Sequence, residues 1–121
     1  MGYTTEFRGA FKCTPSLTKK QVQILNKFAE ERHGGDCERD LDFPGFWCDW
    51  VPTVNGAGIA WNGAEKFYSY VEWLNLIIDK YLTPWGVKLS GSVNFRGENF
   101  DDIGRVIIND TGHAEIQKGS F

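Results

Sequence analysis

The chain has 121 residues, 41% of them apolar and 24% charged, and 13 basic against 16 acidic side chains leave a net charge of −3. That length has room for a single domain, 1–121, burying roughly two thirds of its unfolded surface, and the balance is too apolar and too weakly charged for a disordered chain. It excludes a global field that would draw in nucleic acid or an acidic membrane.

The opening Met1-Gly2-Tyr3-Thr4-Thr5-Glu6 lacks the basic start and apolar run of a secretory signal and matches a myristoylation pattern poorly. No apolar stretch nears the ~20 residues that span a bilayer. Cys13, Cys37 and Cys48 are odd in number and have no paired-motif spacing, which fits free thiols in a reducing compartment. The expectation is a cytoplasmic protein with no membrane partner.

Tyr3, Thr5, Phe7, Gly9 and Phe11 alternate with Thr4, Glu6, Arg8, Ala10 and Lys12, a period of two that predicts one half-buried strand ended by Pro15. Thr18 and Gln21 form a capping box, and a helix of about 14 residues follows. Val22, Leu25, Phe28 and Ala29 make its stripe, and His33-Gly34-Gly35 its basic last turn and stop. The charged segment from Asp36 to Pro44 has no sustained periodicity and reads as a loop.

Phe46 to Val51 predicts a second strand ended by Pro52, and Asn55-Gly56 a hairpin turn into Gly58 to Trp61. Asn62 with Glu65 repeats the capping logic and predicts a long helix from there to Leu82, stopped by Thr83-Pro84. Its buried stripe would be Phe67, Tyr70, Val71, Leu74, Ile77, Ile78 and Tyr81, leaving Trp73 and Leu76 exposed or available to a partner.

Val87 to Arg96 alternates without a break and predicts one strand with a wet polar face carrying Lys88, Ser90, Asn94 and Arg96. Gly97 to Gly104 is an acidic turn, Gly104 to Asn109 a further strand and His113 to Lys118 a last one. The order β-α-β-β-α-β-β-β, with hairpin connections, predicts an α+β two-layer sandwich: a mainly antiparallel sheet with two helices on one face.

Chemistry-bearing clusters are few. His33, Cys37 and Cys48 are too loosely spaced for a zinc site, which needs about four ligands, so Cys48 is expected in the core and His33 at a helix end. A cysteine nucleophile served by His113 has no local support, and no nucleophile elbow, phosphate loop or dinucleotide fingerprint occurs. Glu98, Asp101 and Asp102 could hold a cation, but the spacing fails the calcium-loop pattern and fits a solvated turn. The expectation is therefore no catalytic residue, no metal and no cofactor.

The unusual feature is the aromatic set: five Trp, nine Phe and four Tyr. Such residues are core formers, yet Trp47, Trp50, Trp61, Tyr68 and Trp73 could also line a groove for a stacked base, worth roughly 1–3 kcal/mol per base. Beside them, the amides of a helix starting at Gly63-Ala64-Glu65 and the ammonium of Lys66 could receive an anion, with Glu65 opposing it. These six residues are the candidate ligand-binding set.

The run Pro44-Gly45-Phe46-Trp47-Cys48-Asp49-Trp50-Val51-Pro52, the run from Trp61-Asn62-Gly63-Ala64-Glu65-Lys66-Phe67-Tyr68 to Leu74, and Pro84-Trp85-Gly86 resemble a family of small phage, prophage and bacterial proteins. The opening Met1 to Phe7 and the stretch Gly91 to Gly104 share the likeness. Many members carry a longer insertion where this chain has only His33 to Phe43, so the resemblance implies no activity that resides there.

It implies a setting and no catalytic residue. The expectation is a non-enzymatic anti-defence protein that blocks a bacterial immune effector or sequesters a nucleotide signal, in the host cytoplasm if phage-encoded. Two alternatives stand beside it. One is a small hydrolase or nucleotide-processing enzyme using Asp101, Asp102, Glu98 or His113. The other is an assembly protein forming a homo-oligomer through a sheet edge or through Trp73 and Leu76.

Overall fold

The computed structural model describes residues 3–33, 44–45 and 47–119. It is an α+β fold with two helices and eight antiparallel strands in two sheets. One sheet is ordered β1 (Glu6–Arg8), β6 (Ser92–Arg96), β7 (Ile103–Ile108), β8 (Ala114–Lys118). The other is β3 (Trp50–Pro52), β4 (Gly58–Trp61), β2 (Ala10–Thr14), β5 (Lys88–Ser90). The helices are α1 (Lys19–Glu30) and α2 (Tyr70–Ile77). Residues 36–43 of the expected loop, Cys37 within it, and Phe46 lie outside the described residues.

Two strands expected to be continuous are each divided by a glycine. Gly9 separates β1 from β2 at φ +104, and Gly91 separates β5 from β6 at φ +96. Side chains strain at such angles and glycine does not. The pairing nonetheless keeps one register across both breaks: Glu6 faces Arg96 and Arg8 faces Asn94 on one side, Lys12 faces Ser90 and Thr14 faces Lys88 on the other. Face parity also holds, with Phe7, Phe11 and Cys13 buried on one chain and Leu89, Val93 and Phe95 on the other. The two sheets are thus halves of one ribbon-linked surface, bent at the glycine pair.

The inner face meets the helices. α2 lies against β8 at one end of the bent surface and β3 at the other, and α1 packs on β3. Asn75 fastens α2 to β8 from both sides of one residue: its Nδ2 donates to the Ala114 carbonyl (3.1 Å) and its Oδ1 accepts from the Ala114 amide (2.6 Å). At the opposite edge, Pro52 lies within β3 rather than after it, opposite Ile59. An edge strand tolerates the missing donor.

The capping box of α1 forms as expected: Gln21 N donates to Thr18 Oγ1 (3.2 Å) and Thr18 N to Gln21 Oε1 (2.9 Å). Leu25 and Phe28 are its buried residues. The hairpin at Asn55-Gly56 also forms, with the Asn55 carboxamide oxygen accepting from Thr53 Oγ1 and Ala57 N and Gly56 at φ +74.

The second helix starts eight residues later than its capping signal. Asn62 Oδ1 does accept from Ala64 N (2.8 Å), but Gly63 at φ +90 and Lys66 at φ +60 depart from right-handed helix. The segment instead inserts Phe67, 2% exposed, beneath Phe7 and Trp50. Helix α2 begins after Ser69, at φ +56, and continues from Ile78 to Leu82 as a wider π-type turn. The expected helix start at Gly63 to Lys66, and with it the expected anion seat on its amides, is corrected.

Candidate functional site

The six aromatic and basic candidates fall into three environments. Trp50 and Trp73 are each 1% exposed and form core. Trp50 donates its indole N–H to the Tyr70 carbonyl (2.8 Å) and packs edge-on to Phe7. Trp73, expected at the surface, packs against Phe28 and His33. The helix begins at Tyr70, and Trp73, Leu74 and Ile77 are its buried residues. Trp61 is half-buried beside Phe7 and donates to the Ala64 carbonyl. Trp47 and Tyr68, 48% and 54% exposed, and Lys66 face solvent. A stacking surface from the whole set is closed off by the burial of Trp50 and Trp73.

The residues considered for catalysis are held in structural contacts. Asp102 accepts from Lys118 Nζ (2.6 Å) and from the Tyr3 hydroxyl (2.6 Å), contacts that hold its carboxyl below the ordinary range. The Tyr3 oxygen accepts from Asn99 N, and Glu98 accepts from Thr4 N. The acidic turn is therefore a clasp on the N-terminal strand, with Asp101 exposed. His33 is buried with Nε2 2.9 Å from the Phe28 carbonyl, at the end of α1. Burial pushes the Cys13 thiol up to about 11 and the Cys48 thiol to about 12, and a protonated, buried thiol is a poor nucleophile. Among the described residues no three His, Cys, Asp or Glu converge as metal ligands.

His113 sits in a row that resembles a catalytic triad by composition: Asp79 Oδ1 is 2.7 Å from Nε2 and Thr111 Oγ1 3.1 Å from Nδ1. The hydrogen bonds argue otherwise. Asn109 Oδ1 accepts from the amides of Thr111 and His113, and its Nδ2 donates to Glu115, which fixes the carboxamide orientation. Thr111 Oγ1, 2.6 Å from that same oxygen, must then donate to it. The hydroxyl proton is aimed away from the imidazole, the reverse of what an activated nucleophile needs, and the Asp79 side chain is 65% exposed. The row pins the β7–β8 turn to the helix end.

Beside this turn lies a cleft of about 560 Å³ that residue-type reasoning does not find. Its floor is Ile78, Leu82, Val87, Leu89 and Ile108, and its walls are two unbroken runs, 86–91 and 108–113. Side chains of a strand alternate between faces, so the unbroken run through β5 means that its backbone edge forms one wall, and the end of β7 with the β7–β8 turn forms the other. The bend is the cause. β6 pairs with β7 as far as Ser92 opposite Ile107; beyond Gly91 the chain leaves with β2, and β5 and the end of β7 part.

The direction of the free groups follows from the ladder. Cys13 N donates to Ala57 O, towards β4 (2.8 Å). Cys13 and Leu89 face each other in the β2–β5 register, so they are a pair that exchanges no hydrogen bonds. The Leu89 N–H and C=O therefore point away from β2, into the cleft. The one sequence signal for this site was a glycine inside an otherwise regular strand, which marks a bend or a close backbone approach.

No protein-family model, curated protein or solved structure matches the chain.

Proposed function

We propose that the protein is a non-catalytic binding protein that engages another protein, and that its role is to inhibit a bacterial immune effector. One observation carries the binding reading. A cleft of ligand dimensions, within the roughly 300–1,000 Å³ usual for binding sites, is walled by the β5 edge and the β7–β8 turn and floored by aliphatic side chains, with no Phe, Tyr or Trp in its lining among the described residues. Backbone edges and aliphatic floors recognise polypeptide; stacked bases require rings. The committed Thr111 hydroxyl and the raised thiols of Cys13 and Cys48 support a role without covalent chemistry. The immune setting comes from the resemblance of the Trp-Cys-Asp-Trp-Val-Pro and Trp-Asn-Gly-Ala-Glu-Lys segments to phage and prophage proteins.

The test is expression in bacterial strains that each carry one defence system, scored by phage plating, followed by mixing the purified protein with the effector of any sensitised strain. Restored plating with a stoichiometric complex by light scattering is the expected result. Restored plating with the nucleotide signal depleted or chemically altered, and no protein complex, overturns it. A second reading, sequestration of the nucleotide signal, draws on the exposed rings of Trp47 and Tyr68. It predicts a nucleotide recovered unchanged by native mass spectrometry and lost in Trp47→Ala.

A further inference from the structure

Of the four terminal strands, β1, β3, β5 and β8, two are blocked on their outer side. β8 has its outward-facing backbone groups at Ala114 taken up by the Asn75 side chain, and β3 carries Pro52 and lies against α1. β5 is also a terminal strand, joined to β2 alone. The Leu89 N–H and C=O on its other side face the cleft and meet no partner among the described residues. Leu89 itself is only 8% exposed. A backbone donor and acceptor on a terminal strand with no protein partner offer a ladder position to another strand, and an incoming strand supplies both partners at one residue.

The two faces beside this edge differ in chemistry. On the inner face lie Leu89, Ile78, Leu82 and Ile108. On the outer face Lys88 stands next to the edge, with Lys12 one strand further in, opposite Ser90. Neither lysine has a carboxylate partner among the described residues, although the chain as a whole is acidic.

We propose that β5 is a strand-addition site, and that the partner contributes an extended acidic-aliphatic-acidic peptide segment whose central residue pairs with the Leu89 backbone. Resting on the protein-binding reading above, this names the part of the partner that is held. In an antiparallel ladder the residue opposite Leu89 shares its face, so an aliphatic side chain there enters the cleft floor. Its two neighbours project to the outer face, where a carboxylate meets Lys88. A three-residue strand flanked by Gly86 and Gly91 is too short for indiscriminate edge pairing, and its specificity comes from the floor and the lysines.

The probes are fluorescein-labelled, end-blocked peptides of sequence Ser-Asp-Leu-Asp-Ser, the same peptide N-methylated at its central leucine, and Ser-Lys-Leu-Lys-Ser. They are titrated by fluorescence polarisation against the full chain and against Lys88→Glu. Saturable binding of the first peptide is expected, weakened at least tenfold by N-methylation and at least tenfold in Lys88→Glu, with the lysine peptide preferred by that variant. The Leu89 amide should also become protected from hydrogen exchange on addition of the first peptide. Equal binding of the methylated peptide, no binding of any peptide, or an unprotected Leu89 amide overturns the proposal. The two proposals fail separately: an effector complex that leaves Leu89 exchange unchanged sinks strand addition at β5 and leaves effector binding standing.

Discussion

Around Phe7 the rings of Trp50, Trp61, Phe67 and Tyr70 crowd within 6 Å of its centroid, whereas the cleft beside Leu89 has an aliphatic floor between walls of glycine and polar residues. Both lie on the inner side of the same bent surface. At the first, large rings fill the space between the curved sheet, α2 and the loop of residues 62–69. At the second, the bend has pulled two strands apart and nothing large fills the gap. The difference teaches that residue type marks where volume was needed, while a binding site made by diverging backbones leaves almost no mark on composition.

Truncation is the most severe way to test that contrast. Trp73→Ala, which removes a fully buried ring, should cost about 3–5 kcal/mol, read as a lower urea midpoint. Trp47→Ala, at an exposed ring, should change stability by no more than about 0.5 kcal/mol. Similar small losses at both would return Trp73 to the surface role that its place beside the helix stripe suggests. Gly91→Ala tests the bend. The added Cβ meets only the Ala10 carbonyl, at 4.0 Å, so the cost is conformational, about 1–2 kcal/mol for a left-handed angle. A neutral or stabilising result would mean that the strand passes straight through Gly91 and that the cleft is not opened by the bend.

Much of the fold was legible because it rests on local signals. The capping box at Thr18 and the Asn55-Gly56 turn each act within a few residues, and each produces the expected element, while the alternation of Val87 to Arg96 gives the right faces but two strands instead of one. The breaks at Gly9 and Gly91 were not legible. Each glycine alone is a weak signal, and their coincidence appears only once the register sets the two interrupted strands side by side. The second helix start failed for a related reason. Asn62 forms a local turn that would serve a cap, but burying Phe67 demands a backbone path that no right-handed helix provides, and tertiary packing prevails. The site was the least legible part. Trp50 and Trp73 were candidates as rings and turned out to be core, while Leu89 contributes through its peptide groups, which every residue possesses.

A smaller effect concerns the acid set among the rings. Asp49 is buried, and burial raises its carboxyl above the ordinary range despite a contact of 3.3 Å from Asn62 Nδ2. An acid raised on folding binds its proton more tightly in the native state, so its ionised form opposes folding at neutral pH and the opposition is relieved as pH falls through the raised value. Asp49→Asn should therefore raise the thermal midpoint at pH 7, and the gain should shrink towards zero in acid. A gain that persists at low pH, or a loss at neutral pH, would mean that the carboxylate is stabilised by its surroundings.

The smallest expected change lies in the loop that closes the aromatic side. Lys66 holds φ +60 and Ser69 φ +56, a region that costs an ordinary residue about 1–2 kcal/mol. Lys66→Gly removes that strain and adds unfolded-state freedom worth roughly 0.5–1 kcal/mol, so the net expectation is a gain of several tenths of a kcal/mol, seen as a slight rise in midpoint. The same variant tests the ammonium as a ligand contact, because the two roles share the stability gain and differ in binding. If Lys66 serves only the loop, the glycine variant is more stable and binds an effector or nucleotide as before. If the ammonium holds an anion, stability still rises while affinity falls, and the left-handed turn then persists because it presents the side chain.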